Sequence, residues 1–234
     1  MKKLTALLLV VILVVGAITS CGGVDFSEKS EGVMTYEEYV AADLKSNVVI
    51  EGYVQATQSW WDNKITVYLA DTDGGYFIYE MACTEENAAK LEKGAKIKVT
   101  GVKDEWKGEI EVVDASFEFV EFEHYVLSAR DLTDKIGNNE EIIKYQNELV
   151  AFKGMTVSAI NYKGGTPGDD IYVTAEKDGK SIDFCVERYL TAPDTDVYKA
   201  FTEETVKVGS VIDIECFLYW YDAPNPHITK VAVK

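Results

Sequence analysis

The aromatic side chains of this sequence could bind a ligand by stacking. Seven of them stand out as a pair, a run of three and two single residues: Trp60, Trp61, Trp106, Tyr162, Tyr219, Trp220 and Tyr221. Exposed aromatic rings stack on sugar faces, on bases and on peptide side chains. Carboxylates such as Asp62, Asp104 and Asp222 stand close to them in sequence. These acids suit hydroxyl-rich sugars or cationic peptides better than phosphates.

The same aromatic residues could instead seal a protein core. Trp60 and Trp220 continue the inward-facing parity of their neighbouring strands, so for these two both interpretations stay open. Trp61 and Trp106 are expected to be exposed.

Residues that could catalyse a reaction are sparse. The two histidines, His124 and His227, have no recognisable nucleophile context, and the GxSxG, HExxH and P-loop patterns do not occur. With 40 acidic residues in the chain, the adjacency of two carboxylates does not indicate an acid–base pair. The sequence therefore predicts a protein that is not an enzyme and has no cofactor. An uncharacterised hydrolase is the alternative.

Metal sites and disulfides are not expected. The segment Asp71-Thr72-Asp73-Gly74 lacks the full spacing and the distal Glu of a calcium-binding hand, and we interpret it as a hairpin turn. Beside Cys21 the chain has Cys83, Cys185 and Cys216, none of them in a CxxC pair. This count and spacing predict neither a zinc site nor a disulfide framework.

The N-terminus has the pattern of an export signal. Lys2 and Lys3 precede an almost wholly apolar run that ends in Ile18-Thr19-Ser20-Cys21. This ending resembles the lipobox of bacterial lipoproteins. The resemblance implies that residues 1–20 are cleaved as a signal peptide and that a lipid on Cys21 anchors the protein to the extracytoplasmic face of the cell membrane. An uncleaved membrane helix is the alternative, but the run is shorter than the roughly 20 residues of a span.

The chain is strongly acidic, with a formal net charge of −17 at pH 7. Loss of Lys2 and Lys3 with the signal peptide would make the mature protein more acidic still. Such a charge repels phosphate backbones, whose binding depends on lysine and arginine. The composition therefore disfavours general nucleic-acid binding.

Behind the signal, one series of elements occurs twice. Residues 21–33 are small, polar and charged and are predicted to form a flexible tether. The two copies then cover residues 34–123 and 124–234. Each copy opens with a capping-box pattern, at Thr35–Glu38 and at Ser128–Asp131, which predicts a helix start.

Each copy continues with five predicted strands. The first strand contains a glycine, Gly52 or Gly154, that lets it bend sharply. The second and third strands form a hairpin around Asp73-Gly74 or Asp178-Gly179. The predicted strands are 48–56, 65–70, 76–81, 94–99 and 109–119 in the first copy and 150–159, 171–175, 181–186, 209–214 and 227–233 in the second, with short helices at 85–91 and 196–201.

This order of elements resembles the OB-fold, a five-stranded Greek-key barrel with a helix between its third and fourth strands. The resemblance implies a mainly β protein with two consecutive small barrels, each with short helices. A single two-sheet β-sandwich is the alternative. OB-folds bind ligands through strands two and three and through the loops that join strands one to two and four to five. The aromatic residues named above fall in or near those loops.

These features predict a membrane-anchored binding or adaptor protein that presents aromatic loops to a glycan, peptide or protein. Single-stranded nucleic-acid binding is the first alternative, with Lys64, Lys103, Lys107 and Lys163 as the candidate basic residues near the loops. A structural scaffold of an envelope complex is the second.

Overall fold

A computed structural model of the protein describes residues 23–234, so the predicted signal peptide and Cys21 lie outside the described residues. Among these residues, none of the helices combines the length and the apolar character that a membrane span requires. The α-helices are α1 (Tyr36–Ala41), α2 (Glu85–Ala88), α3 (Asn139–Ile142) and α4 (Asp196–Thr202). Single turns of 3-10 helix lie at Thr133–Lys135, Ile143–Tyr145 and Lys163–Gly165.

The first five strands form a closed barrel. They are β1 (Asn47–Thr57), β2 (Lys64–Ala70), β3 (Gly75–Ala82), β4 (Lys96–Trp106) and β5 (Glu109–Phe119). Their order around the barrel is β1-β2-β3-β5-β4, and β4 closes it against β1. All pairs are antiparallel except β3 with β5, where Phe77 lies beside Glu111. Helix α2 lies in the chain between β3 and β4.

The second barrel repeats this order. Its strands are β7 (Leu149–Tyr162), β8 (Ile171–Lys177), β9 (Lys180–Val186), β10 (Val211–Phe217) and β13 (His227–Val233). They follow the order β7-β8-β9-β13-β10, closed by pairing of β10 with β7, and β9 with β13 is the parallel pair. A short strand β6 (Arg130–Asp131) extends the sheet beside β7, and β11 (Trp220–Tyr221) pairs with β12 (Ala223–Pro224).

Two barrels with one shared strand order confirm the predicted OB-fold architecture, in which a helix separates the third and fourth strands. Each barrel encloses its own core of buried apolar residues. The alternative of a single two-sheet sandwich is wrong, because the first and fourth strands of each copy pair and close the sheet.

The local signals act as expected at the bends and hairpins. A Cβ on Gly52 would lie 2.8 Å from the Ala70 carbonyl oxygen, so only glycine fits where β1 bends against β2. At the first hairpin, Asp71 Oδ1 accepts hydrogen bonds from the backbone N–H groups of Asp73 and Gly74. This turn role accounts for the acidic segment, as predicted. The Thr35 capping box at α1 is also formed, with Thr35 and Glu38 bonded reciprocally.

The second predicted capping box is wrong. Residues Ser128–Asp131 begin no helix, because Arg130 and Asp131 pair in parallel with Val150 and Ala151 of β7. The Asp131 carboxylate accepts hydrogen bonds from the Thr133 N–H and hydroxyl and so supports a 3-10 turn.

The segment predicted to be a flexible tether packs on the first barrel in its described part, residues 23–33. The Phe26 ring stacks on Tyr125 with centroids 4.4 Å apart. Lys29 forms an ion pair with the buried Asp71. The Ser30 N–H donates to Glu51, and Glu51 pairs at 2.9 Å with the buried Lys96. One aromatic ring and one lysine therefore dock a segment that is polar by composition.

The two barrels are joined by a third apolar cluster of Tyr68, Phe77 and Phe217. The Tyr68 ring stacks on Phe217 with centroids 4.1 Å apart, and its hydroxyl forms a 2.7 Å hydrogen bond with His227 Nδ1. Burial lowers the pKa of His227 to about 3, so this imidazole is neutral at physiological pH. A buried aromatic contact between the barrels fixes their mutual position.

Candidate ligand-binding cleft between the barrels

Beside the buried contact, two adjoining cavities form a cleft between the barrels, with volumes of about 480 and about 470 Å³. Gln58 and Tyr79 line both cavities, so the two lie side by side. The cleft is lined by Gln58, Ser59, Trp61, Thr66, Phe77, Tyr79, Glu80, Asp170, Tyr172, Cys185, Glu187, Tyr189, Tyr219, Tyr221, Asn225 and His227. Most of the large side chains in this wall are aromatic.

The first barrel contributes the outer face of its second and third strands. Tyr79 projects outward from β3, where Ile78 and Met81 face the core. Trp61 lies in the turn before β2 and is 53% exposed. A pair of backbone hydrogen bonds with Lys64 closes that turn, and the Lys64 ammonium lies 5.8 Å from the centre of the Trp61 ring. The turn thus presents the indole to solvent while its backbone is fixed.

The second barrel contributes Tyr172 of β8, Tyr189 and the hairpin residue Tyr221, all exposed. Three hydrogen bonds join the walls beside the cleft. The Ser59 N–H and hydroxyl donate to the Tyr189 carbonyl at 2.8 and 3.2 Å, and Gln58 Nε2 donates to Glu187 Oε2 at 3.0 Å. These bonds hold the aromatic rings of both barrels in one arrangement.

The charged residues that line the cleft are all acidic. They are Glu80, Asp170 and Glu187, and no lysine or arginine is among the lining residues. Burial raises the pKa of Glu187, and the N–H groups of Tyr189 and Leu190 oppose the shift by donating to its carboxylate. Asp170 pairs with Lys163 at 3.0 Å. Lys64 likewise pairs with Glu80. The lining therefore offers an anionic ligand no lysine or arginine to bind.

The seven aromatic residues singled out from the sequence separate into two groups. Trp61, Tyr219 and Tyr221 meet in the cleft. The other four do not line it: Trp60, Trp106, Tyr162 and Trp220.

Three of the four residues outside the cleft pack against a core. Trp60 contacts the first core and donates from Nε1 to the Cys83 carbonyl at 2.8 Å, and Tyr162 contacts the second core and donates to the Phe201 carbonyl. Trp220 is buried in the second core. Trp106, which is 58% exposed, is the one that stays open to solvent. Of the two tryptophans for which the sequence left both interpretations open, Trp220 is buried and Trp60 is half-buried against the first core.

Sequence reasoning missed Tyr79, Tyr172 and Tyr189. It concentrated on the loops, whereas Tyr79 and Tyr172 project from the strands themselves. Their signal is alternation: Tyr79 follows the inward Ile78, and Tyr172 follows the inward Ile171. Tyr189 follows the end of β9 and has no comparable signal.

The four lysines proposed for phosphate contact are already engaged. Lys103 is buried and donates to the carbonyls of Tyr39, Val40 and Ala42. The other three each pair with a carboxylate: Lys64 with Glu80, Lys107 with Asp222, and Lys163 with Asp170.

No group of three or more His, Cys, Asp or Glu among residues 23–234 is arranged to hold a metal ion. Cys83, Cys185 and Cys216 are free and buried.

Models of protein families and curated proteins give no match to this chain. Among solved structures it is similar to the Stn1–Ten1 complex of S. pombe, with 20% identity and a TM-score of 0.27 over 32% of this chain and 59% of that one. It is also similar to a murine DNA binding protein bound with ds DNA, with 12% identity and a TM-score of 0.38. That match covers 80% of this chain and 96% of the other. A third similar structure is a Replication Protein A heterotrimer bound to ssDNA, with 11% identity and a TM-score of 0.32. That match covers 81% of this chain and 49% of the other.

The strand order of both barrels, together with the helix between strands three and four, defines this chain as a two-domain OB-fold protein.

Proposed function

We propose that this chain is a binding protein that acts outside the cell and holds a glycan, peptide or protein segment in the cleft between its two barrels. One observation carries the proposal: exposed aromatic rings from both barrels line a single cleft whose charged residues are all acidic. The proposed role is binding without catalysis.

The chemistry of the wall supports this class of ligand. A ring that stacks on a planar or apolar group contributes about 1–3 kcal/mol. The carboxylates and the Gln58 and Asn225 amides can accept hydrogen bonds from hydroxyl or ammonium groups. Because hydrogen bonds between the barrels hold the walls in place, little ordering entropy is lost when a ligand enters.

Removal of a cleft ring is expected to weaken ligand binding. We expect Tyr189→Ala and Trp61→Ala to lower affinity for a glycan or peptide ligand about ten-fold each, since each removes one stacking surface. Trp106→Ala is the matched control, because Trp106 is equally exposed and lies outside the cleft. The measurement is binding of the full chain, in a polyoxyethylene detergent, to arrays of glycans and peptides.

Equal losses in the Trp106 and Tyr189 variants would indicate a general surface effect and would contradict the cleft as the site. Absence of binding to every glycan and peptide on the arrays would contradict the ligand class.

Single-stranded nucleic-acid binding is the second candidate. It is supported by Tyr79 on the face of strands two and three and by Trp61 in the loop between strands one and two, the OB-fold binding regions, where both rings can stack bases. The engaged lysines and the acidic cleft oppose it. A nucleic-acid complex of this kind would weaken steeply with salt.

We propose further that a lipid on Cys21 anchors the protein, as its resemblance to the lipobox implies. Cys21→Ser is then expected to leave the chain unprocessed and to remove radiolabelled fatty acid from it. Metabolic labelling with palmitate measures this outcome, and Cys83→Ser is the control, since Cys83 is buried in the barrel. Retained label in the Cys21 variant would contradict the anchor.

A further inference from the structure

A second depression on the first barrel adjoins the cleft and carries a different chemistry. It has a volume of about 780 Å³ and shares Tyr79 and Glu80 with the cleft. We call it the acidic basin, lined by Asp62, Asn63, Lys64, Tyr79, Glu80, Ala82, Asp104, Glu111, Val113, Asp114, Ala115 and Ser116. Five of these residues carry a carboxylate and one, Lys64, carries a positive charge.

Two of the carboxylates already have a partner. Lys64 pairs with Glu80 at 2.7 Å, and Lys45 pairs with Asp104. Asp62, Glu111 and Asp114 form no ion pair with another described residue. The basin therefore keeps three carboxylates that are not neutralised by the barrel itself.

Glu111 is the informative member of this set. It lies on β5, is only 8% exposed and lines the basin. Its backbone pairs with the neighbouring strands, but its carboxylate makes no hydrogen bond or ion pair with another described residue. Its oxygens reach the basin, because they are not among the completely buried polar atoms that lack a partner. A carboxylate that is largely withdrawn from water is costly without a partner, and the cost falls when a donor enters. Its side chain thus marks a place for a positively charged donor.

We propose that the acidic basin binds an ammonium or guanidinium group of a ligand whose remainder lies in the aromatic cleft. This inference rests on the proposed function and narrows its ligand class. The Tyr79 ring, shared by both spaces, offers a cation–π contact to such a group. A lysine or arginine side chain of a peptide and a free polyamine share this chemistry.

The ionisation of Glu111 gives the binding a pH dependence. Burial, with a smaller contribution from Asp104, raises the pKa of Glu111 to about 7, and Lys45 opposes the shift. Further charged or titratable groups around it are Tyr39, Asp62, Lys64, Tyr79, Glu80, Glu109, Asp114 and Tyr219. The carboxylate is ionised above this pKa, so affinity for a cation is expected to rise between about pH 6 and about pH 8.

The test is a calorimetric titration of the full chain, in a polyoxyethylene detergent, with capped tetralysine, capped tetraglutamine and spermidine. Glu111→Gln is expected to weaken tetralysine binding about ten-fold at about pH 8 and to remove the rise with pH. Tetraglutamine is expected not to bind the basin. Glu118→Gln is the matched control, because Glu118 is an exposed glutamate on the same strand that does not line the basin. If spermidine binds with the same dependence on Glu111, the proposal is supported and a free polyamine can supply the cationic group.

Two results would overturn the inference: equal affinity in the Glu111 and Glu118 variants, or no binding of tetralysine or spermidine. Tyr189→Ala separates the two proposals, because Tyr189 lines the cleft and not the basin. If only Tyr189→Ala lowered the affinity for tetralysine, the cleft would be supported as a binding site and the basin would not. If only Glu111→Gln lowered it, the basin would be supported and the cleft would not.

Discussion

Replacement of Tyr68 by alanine is expected to lower the free energy of unfolding by about 3–5 kcal/mol, the range for truncation of a large buried aromatic side chain. Tyr68 is fully buried, although it faces away from the core of its own barrel. The substitution removes its stack on Phe217 and its hydrogen bond with His227. The cavity would lie in the contact that holds the two barrels together.

Urea unfolding of the full chain measures this effect. Tyr68→Phe keeps the ring and removes the hydroxyl, so a loss of about 1 kcal/mol is expected from that hydrogen bond alone. Trp106→Ala provides a control for an exposed aromatic residue and is expected to cost less than about 1 kcal/mol. If Tyr68→Ala cost no more than Trp106→Ala, the barrels would not be joined by this contact.

Replacement of Lys96 by methionine is expected to have a similarly large effect, a loss of about 3–5 kcal/mol. Lys96 and Glu51 form an ion pair that is almost completely buried in the first barrel. The Lys96 ammonium also lies 4.2 Å from the centre of the Phe122 ring and donates to the Glu28 carbonyl. Without it, Glu51 would keep a buried charge with no countercharge.

The double variant Lys96→Met with Glu51→Leu checks the cause. Because it removes both charges, it is expected to recover most of the loss in urea unfolding. It is also expected to loosen residues 28–30, since Ser30 donates to Glu51 and Glu28 accepts from Lys96. Faster proteolysis near Glu28 would report that loosening. A double variant as unstable as Lys96→Met would show that the lost packing, and not the unpaired charge, causes the damage.

The sequence predicted the barrels because their signals are local. Asp73-Gly74 and Asp178-Gly179 specify tight turns, and Gly52 sits where β1 must approach Ala70 closely. Alternation then assigns one face of each strand to a core, and closure of the sheet follows from the order of the elements. The last strand of each copy lies at the predicted residues, 109–119 and 227–233.

The cleft could not be predicted in the same way, because alternation only says that a residue faces outward. Tyr68 and Tyr79 both face outward from the first barrel, yet Tyr68 is buried against Phe217 and Tyr79 is exposed in the cleft. What separates them is the position of the second barrel, which no short pattern encodes. The docking of Phe26 and Lys29 on the first barrel could not be predicted either, because the residues that they contact, Tyr125 and Asp71, are distant in sequence.

The central claim is that the cleft between the barrels takes an uncharged or cationic ligand and not a phosphate backbone. In a Trp106→Phe variant, Trp61 is the one strongly exposed tryptophan, since Trp220 is buried and Trp60 is half-buried. Its emission can be titrated with chitohexaose, tetralysine and dodecathymidylate at about 50 and about 200 mM salt. We expect a saturable change with the sugar or the peptide and none with the oligonucleotide at either salt concentration. A saturable change with the oligonucleotide that weakens steeply with salt would contradict the account.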